Sequence, residues 1–307
     1  MNTLDHNRRS FIKSTLAAGA AAVLPRAAFA DHHEGAHPFE ISIAEWSVHK
    51  MVNKGDLANM DFPAFAKDKC GINAVEYVNQ LFKDGKVNDK YFQSLKKRCE
   101  DIDVKSLLIM CDGLGQLGDP DPQKRHRTVL NHAFWLNGAQ ALGCHSIRVN
   151  ASSTGTREEQ EKLAADGLAA LSELGIPYGM NVTVENHGGL SSDGSWLAAV
   201  MKRVNMPNCG TLPDFGNFNL GGGKTYDRYQ GVTELMPFAK AVSAKSHDFD
   251  AEGNEIHTDY FKMMDIVLKA GYHGHVGIEY EGSELGELEG ILATKKLLER
   301  VRAKVKA

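Results

Sequence analysis

Four short apolar segments in the second half of the chain each end in a side chain that can bind a metal ion. Those side chains are Glu185, Asp214, His247 and Glu279, and successive ones lie 29, 33 and 32 residues apart. A strand, a loop, a helix and a returning loop occupy roughly 30 residues, so one such residue recurs in each βα unit. Because the strands of a βα barrel end on one face, the spacing predicts that the four side chains meet there.

These four residues form an oxygen-rich ligand set with a single imidazole. Such a set suits Mn²⁺, Mg²⁺ or Co²⁺ better than a structural zinc site, although Zn²⁺ is also compatible. A cation held by four ligands can bind a vicinal hydroxy-carbonyl, polarise its carbonyl and stabilise an enediolate. Glu185 and Glu279 are then candidates for the catalytic base and acid. The alternative is that all four are polar caps of strand ends.

Seven further residues are candidates for substrate binding: Trp46, Glu76, Arg148, His187, Asn217, Lys245 and His257. Lys245 shares strand parity with the histidine ligand, so it should face the barrel lumen and pair with a carboxylate or contact substrate. Arg148 is predicted to be a buried partner for carboxylates such as Glu76. Trp46 is either an apolar wall for a sugar ring or a core residue. The two loop histidines contact either substrate or the backbone.

Eight predicted strands position these residues at nearly even spacing. Their ends fall at Trp46, Glu76, Met110, Asn150, Glu185, Asp214, His247 and Glu279. Val104–Met110 is nearly all apolar, as expected of a parallel strand covered on both faces. Predicted helices lie between the strands, including one long helix that ends at Leu142. The pattern predicts an α/β fold, a single (β/α)8 TIM barrel over residues 39–307, with 215–231 as a loop over the active face.

The first 30 residues have the features of an export signal rather than of the fold. Asn7–Lys13 carries a twin-arginine pattern, a weakly apolar stretch follows, and Ala28–Ala30 offers a cleavage site. Residues 31–38 are predicted to be a polar linker. Because the twin-arginine route carries folded proteins, the metal can be inserted before export. We therefore expect a periplasmic protein.

Composition restricts the possible partners. Without residues 1–30 the chain has 31 basic and 38 acidic side chains, a formal charge of −7, which argues against a nucleic-acid partner. No internal run is long enough to predict a membrane-spanning helix. The five cysteines form no CxxC and no paired spacing, so we expect all of them to be free.

The segments around the four ligands resemble a known family. They are Val184–Gly189, Leu212–Phe218, Ala244–Phe249 and Val276–Gly282. They are similar to the xylose-isomerase-like barrels of the sugar phosphate isomerases and epimerases. The resemblance implies one divalent metal bound by Glu185, Asp214, His247 and Glu279. In ketose epimerases of this superfamily the two glutamates also form the acid/base pair.

The chain departs from those epimerases at two sugar-contacting positions. Asn217 replaces a histidine and Gly253 replaces an arginine, and there is no glycine-rich phosphate cradle. We therefore expect a metal-dependent sugar isomerase or epimerase acting on a ketose or aldose-type carbohydrate, in a homo-oligomer (dimer or tetramer). Alternatives are a metal-dependent lyase or hydratase of 3-keto-glycosides and a non-catalytic sugar-binding barrel. The endonuclease branch of the superfamily needs more metal ligands and a basic face.

Overall fold

A computed structural model describes residues 37–83 and 85–306, so the predicted signal peptide and most of the predicted linker lie outside the described residues. The described residues form ten strands, eight of which make up one parallel sheet. The strands are β1 (Glu40–Ala44), β2 (Ala74–Val78), β3 (Lys105–Met110), β4 (Ser146–Val149), β5 (Asn181–Glu185), β6 (Cys209–Leu212), β7 (Asn219–Gly221), β8 (Lys224–Thr225), β9 (Val242–Ser246) and β10 (His275–Tyr280). Strands β7 and β8 form a separate hairpin.

Within the part of the chain that the structure describes, ten α-helices surround the sheet. They are α1 (His49–Lys54), α2 (Phe62–Cys70), α3 (Asp89–Asp101), α4 (Pro122–Asn131), α5 (Ala133–Leu142), α6 (Arg157–Gly175), α7 (Gly194–Val204), α8 (Arg228–Leu235), α9 (Tyr260–Lys269) and α10 (Glu287–Lys306). Asparagine or aspartate caps five of them, because its side-chain oxygen accepts a free backbone N–H of the first turn. Thr156 and Glu159 form a capping box on α6. Over the described part of the chain, no helix combines the length and apolar character needed to cross a membrane.

The sheet closes into a barrel between its two outer strands, β6 and β9. Its order is β6-β5-β4-β3-β2-β1-β10-β9. Ser243 N–H donates to the Pro213 carbonyl at 2.9 Å, and Phe215 N–H donates to the Ser243 carbonyl at 3.1 Å. These bonds join the segment after β6 to β9 and leave no open edge there. The predicted (β/α)8 barrel is therefore confirmed, and all strand ends converge on one face.

The prediction of one long helix ending at Leu142 is wrong in one respect. The structure has two helices there, α4 and α5, which are separated at His132. The His132 backbone N–H donates to the Val129 carbonyl at 3.2 Å instead of continuing the helical pattern. Its ring Nδ1 lies 2.8 Å from the Thr128 carbonyl oxygen and takes the place of that backbone donor. Side-chain competition for a backbone carbonyl interrupts the helix here.

Two other predicted segments differ locally from the structure. The predicted loop 215–231 contains the β7–β8 hairpin and the start of α8. Trp46 does not end strand one, because the chain turns into a 3₁₀ helix over Glu45–Val48. The buried Glu45 carboxylate accepts the Val78 N–H at 3.1 Å and so fixes that turn against β2. All five cysteines are free, as predicted.

Gly167→Ala should destabilise the protein, because helix α6 packs directly on the loop that follows β3. A Cβ at Gly167 would lie 1.8 Å from the Leu117 carbonyl oxygen, so the backbone would have to move. We expect a loss of about 2–3 kcal/mol in the free energy of unfolding, measured by urea denaturation. Asp166→Ala, at an exposed neighbouring position, should change it by less than about 0.5 kcal/mol. Equal effects of the two substitutions would contradict this packing.

Candidate metal centre

Three of the four predicted metal ligands meet at the carboxyl ends of the strands. Glu185 is the last residue of β5, Asp214 follows β6 by two residues, and Glu279 lies near the end of β10. One carboxylate oxygen from each lies within 4.8 Å of the other two, and all three residues are buried. A cation bound at about 2.0–2.6 Å from each oxygen fits such a spacing.

Amide side chains fix the positions of two of these carboxylates. Asn186 accepts the Asp214 N–H at 2.8 Å and donates to the Asp214 carbonyl at 3.0 Å. Asn217 donates from Nδ2 to Glu185 Oε1 at 2.8 Å, and its backbone N–H donates to Asp214 Oδ1 at 2.8 Å. The loop after β6 therefore joins Glu185 to Asp214 through hydrogen bonds.

Ser243 on β9 links Asp214 to the third carboxylate. Its hydroxyl lies 2.7 Å from Asp214 Oδ2 and 3.2 Å from Glu279 Oε2. The serine side chain is buried. Glu279 is thereby held beside Asp214, although the two residues come from strands that are not neighbours in the sheet.

Two buried cations balance part of this negative charge. Lys245 pairs with Glu279 in the register of β9 and β10, and its Nζ lies 3.1 Å from Glu279 Oε1. Arg148 Nε lies 2.8 Å from Glu185 Oε2 and its Nη1 lies 2.7 Å from Asp112 Oδ1. Arg148 is thus a buried carboxylate partner, but of Glu185 and Asp112 rather than of Glu76. Three cluster carboxylates face two cations, and each cation also pairs with a carboxylate outside the cluster: Arg148 with Asp112 and Lys245 with Glu281.

Burial and these neighbours shift the pKa values of the three carboxylates in different directions. Burial, reinforced by Glu279 and Asp214, raises the pKa of Glu185 despite the nearby Arg148. Burial likewise raises the pKa of Asp214 against the effect of Lys245. Burial acts on Glu279 as well, but Lys245 and Arg148 outweigh it, so the pKa of Glu279 is lowered. Without another positive charge, the site favours partial protonation.

The donor set fits a divalent cation. Glu185 Oε2 is buried and has no aligned hydrogen-bond donor, since the close Arg148 Nε contact is an ion pair without hydrogen-bond geometry. A buried carboxylate oxygen without a hydrogen-bond donor is costly, and the Arg148 charge beside it is shared with Asp112. Oxygen ligands of this kind suit hard divalent cations. A buried acidic triad that can hold a divalent metal is therefore present, and its donors do not select one metal.

The fourth predicted ligand, His247, lies outside this three-residue group. Its side chain is 36% exposed, and its Nδ1 lies 4.0 Å from Glu255 Oε1. The His257 ring packs against it edge-on at 5.6 Å between centroids. Glu255 also accepts backbone N–H groups of His247 and His257. The two histidines form a rim pair organised by a buried glutamate, and the metal-binding role of His247 stays a prediction.

The remaining predicted residues occupy three different places. Trp46 is half-buried and stacks on His49 with 4.5 Å between ring centroids. Glu76 lies in the barrel lumen, where Oε1 accepts from the Ser42 hydroxyl at 2.5 Å and Oε2 has no partner. A Cβ on Gly277 would lie 2.5 Å from Glu76, so this glycine makes room for the carboxylate. His187 follows β5 and is exposed.

Asp112 is the clearest residue that the sequence analysis missed. It accepts from Arg148 at 2.7 Å and from Asn150 Nδ2 at 2.6 Å. Burial would raise the pKa of Asp112, but Arg148 and Asn150 outweigh it and lower that pKa. Its position in the sequence could have indicated it, because Asp112 follows β3 by two residues just as Asp214 follows β6.

A cleft of about 260 Å³ adjoins the metal centre on the side of β3 and β4. Its lining residues are Cys111, Gly113, Leu114, Gly115, His132, Asn150, Ser152 and His187. The loop after β3 forms one wall and the loop after β5 contributes His187. Arg148 connects the two regions, because it contacts both Asp112 and Glu185.

Comparison with known proteins agrees with this architecture. The profile of the family described as "Xylose isomerase-like TIM barrel" matches residues 64–303. The chain belongs to this family. A twin-arginine signal-sequence profile matches residues 5–25, which confirms the predicted export signal.

Several solved structures share the fold of this family member. An L-ribulose 3-epimerase has a TM-score of 0.67 at 14% identity, with 87% of this chain and 97% of that chain covered. The IolI protein with a bound zinc atom has a TM-score of 0.66 at 16% identity, with 87% and 99% covered. A 3-keto-D-glucoside 4-epimerase from E. coli has a TM-score of 0.62 at 13% identity, with 85% and 99% covered. At these identities the likeness shows the fold alone.

One curated protein matches a short part of the chain. It is the C-glycoside deglycosidase alpha subunit of Arthrobacter globiformis, 36% identical over 66 residues. The match covers 20% of this chain and 19% of that protein, so it spans only about a fifth of the relative's length.

Glu76→Gln should stabilise the metal-free protein in a pH-dependent way. Burial raises the pKa of Glu76 from 4.5 to about 7, so the folded state holds its proton more tightly than the unfolded chain. The resulting destabilisation of the wild type is absent below pH 4.5, grows between pH 4.5 and 7, and then levels at about 3 kcal/mol. Urea unfolding of both proteins across this range measures the difference. A stability difference that does not change with pH would contradict this prediction. The control is Glu289→Gln, at an exposed position.

Lys245→Met should strongly destabilise the metal-free protein, because it leaves Glu279 and Asp214 without their buried counter-ion. We expect a loss of about 3–5 kcal/mol in the free energy of unfolding. Lys269→Met removes an exposed ion pair with Asp265 and should cost less than about 1 kcal/mol. Urea denaturation, with and without Mn²⁺, gives both values, and added cation should restore part of the Lys245→Met loss. Similar losses in both variants would contradict the role of Lys245.

Proposed function

We propose that this family member is a divalent-metal-dependent sugar isomerase or epimerase that transfers a proton at the carbon next to a carbonyl. The observation that supports it is the triad of Glu185, Asp214 and Glu279, whose oxygens lie within 4.8 Å of one another at the carboxyl ends of the strands. Metal-dependent chemistry of this kind is placed on that face of a TIM barrel. Several structures with the same fold are named as epimerases, including D-tagatose 3-epimerase-like and L-ribulose 3-epimerase proteins.

The proposed site uses one divalent cation bound by the triad, with His247 as the fourth ligand. When bound, the cation would supply Lewis-acid polarisation of a substrate carbonyl and stabilise negative charge on its oxygen. Mn²⁺, Mg²⁺, Co²⁺ and Zn²⁺ all remain candidates for this position.

Glu185 and Glu279 are the proposed proton-transfer pair. One carboxylate removes the proton next to the carbonyl and the other returns a proton to the resulting enediolate. Asn217 orients Glu185 through its 2.8 Å hydrogen bond, and Lys245 orients Glu279 through its 3.1 Å contact. Both glutamates are buried, which limits competition from bulk water for the proton.

Export supports a proposed location in the periplasm. The twin-arginine match at residues 5–25 places an export signal ahead of the barrel. The route carries folded proteins, so the metal is proposed to be inserted before transport. A small carbohydrate is the proposed partner.

A second candidate is a metal-dependent carbon–oxygen lyase that acts on 3-keto-glycosides. The short match to a C-glycoside deglycosidase subunit favours cleavage of a glycoside. The shared fold with a 3-keto-D-glucoside 4-epimerase favours a 3-keto-glycoside as the substrate. Both reactions begin with proton removal next to a carbonyl. In the lyase, loss of the neighbouring oxygen substituent follows instead of reprotonation.

Deuterium exchange in D₂O tests the proposed chemistry. The metal-loaded protein should introduce deuterium into a free ketose or a 3-keto-glucoside. Mass spectrometry measures the deuterium content of the sugar. Glu185→Gln and Glu279→Gln should each slow exchange by about 100-fold or more, since general acid–base catalysis typically contributes that much. Their metal content should fall as well, measured by inductively coupled plasma mass spectrometry.

The control is Glu284→Gln, an exposed glutamate in the loop that follows β10, which should change neither quantity. Release of the aglycone together with exchange would favour the lyase. Metal-dependent sugar binding without exchange would indicate a binding protein. Full metal content and full exchange in both glutamate variants would refute the site assignment.

A further inference from the structure

The cleft beside the metal centre is lined by polar groups of its own, one of them buried and two half-buried. His132 lines it and is only 2% exposed, and Asn150 and Ser152 contribute two further polar side chains. His187, also in the lining, lies two residues beyond Glu185, so the cleft and the carboxylate cluster are neighbours. The proposed isomerase chemistry uses none of these groups.

His132 has a defined hydrogen-bonding state. Its Nδ1 lies 2.8 Å from the Thr128 carbonyl oxygen, which can only accept, so Nδ1 carries the proton. Burial lowers the pKa of His132 and keeps the ring neutral. The second ring nitrogen, Nε2, is then a hydrogen-bond acceptor. His132, at the break between α4 and α5, therefore brings a neutral ring with one acceptor nitrogen to the lining of the cleft.

Asn150 offers a second acceptor at the boundary between the cleft and the metal centre. Its Nδ2 donates to Asp112 Oδ1 at 2.6 Å, which fixes the amide orientation. Its Oδ1 has no hydrogen-bond partner. Acceptors that are buried and fixed in this way match ligands that carry hydroxyl donors.

The charge of the cleft disfavours a phosphate. None of its described lining residues is a lysine or an arginine. The Arg148 guanidinium, which contacts Asp112 beside the cleft, is already paired with Asp112 at 2.7 Å and with Glu185 at 2.8 Å. Phosphate recognition normally uses a free arginine, a lysine or a cradle of backbone N–H groups at a helix N-terminus.

We propose that this cleft binds a second, uncharged sugar ring joined to the sugar at the carboxylate cluster, so that the substrate is a non-phosphorylated glycoside. The inference rests on the proposed function, because that function places the reacting sugar at Glu185 and Glu279. The cavity of about 260 Å³ is slightly smaller than the roughly 300–1,000 Å³ of sites for drug-sized ligands. That size suits one ring rather than an extended chain.

Calorimetric titration of the full metal-loaded protein tests the proposal. The one-ring probe is D-fructose, and the two-ring probes are glucosyl-fructoses with four linkages: turanose, maltulose, leucrose and isomaltulose. D-fructose 6-phosphate is the charged probe. At least one glucosyl-fructose should bind at least 10-fold more tightly than D-fructose, and D-fructose 6-phosphate should show no such gain.

Two variants test whether the gain in affinity comes from binding in the cleft. Ser152→Phe and Leu114→Trp fill the cleft from different segments of the chain and should each abolish the tighter binding of the glucosyl-fructose. Thr154→Phe, at an exposed position two residues from Ser152, should preserve it. Circular dichroism and metal content confirm that each variant is folded. Retention of the gain in both filled variants would overturn the assignment of the cleft.

The remaining outcomes separate this proposal from the proposed function. Deuterium exchange into D-fructose without any gain for the glucosyl-fructoses would overturn the cleft assignment alone. Tighter binding of D-fructose 6-phosphate would likewise overturn the uncharged-ring assignment. A gain for a glucosyl-fructose without exchange would support the cleft and refute the isomerase. Absence of both binding and exchange for every probe would overturn both proposals.

Discussion

Mutual repulsion among three buried carboxylates is the constraint on which the site depends. Unit negative charges no more than 4.8 Å apart repel by at least roughly 3 kcal/mol per pair at an effective dielectric constant of about 20. The barrel can hold Glu185, Asp214 and Glu279 together only because cations and hydrogen-bond donors oppose that repulsion. Lys245, Arg148 and the amide and hydroxyl groups around the cluster supply this compensation. The remaining negative charge is what makes the triad a candidate metal centre.

Arg148 extends the effect of that constraint beyond the cluster. The same guanidinium contacts Glu185 and Asp112, and Asp112 in turn holds Asn150. A change in the charge at Glu185 therefore acts, through Arg148 and Asp112, on Asn150, which lines the neighbouring cleft. In this way a buried ion pair links the proposed chemistry to the proposed recognition of a second sugar ring.

Membership of the xylose isomerase-like family fixes the fold but leaves the substrate to local residues. Asn217 occupies the position where the epimerases that the chain resembles carry a sugar-contacting histidine, and here it donates to Glu185. Gly253, where those proteins carry an arginine, lies in a tight turn in which its N–H donates to the Asp250 carbonyl. These two positions therefore carry different groups from the ones that contact the sugar in those epimerases, whereas the carboxylate triad is present.

The sequence by itself determined the barrel and the position of each carboxylate along the chain. The spacing of roughly 30 residues is a local property of βα units, and convergence of parallel strand ends is a general property of the barrel. Both properties predict Glu185, Asp214 and Glu279 on one face, and the structure brings them together. It also predicted a buried arginine on β4, although not the carboxylates with which it pairs.

Only the tertiary structure decided which side chains touch. Asp112, His132 and Asn150 come from three separate segments, and they line or border one cleft because the barrel closes and the loop after β3 packs on α6. His247 lies outside the three-carboxylate group, although it directly follows the last residue of β9. Spacing along the chain predicts which residues lie at the carboxyl ends of the strands. Side-chain direction depends on backbone turns and on competition for hydrogen bonds, and these are set by contacts between residues far apart in sequence.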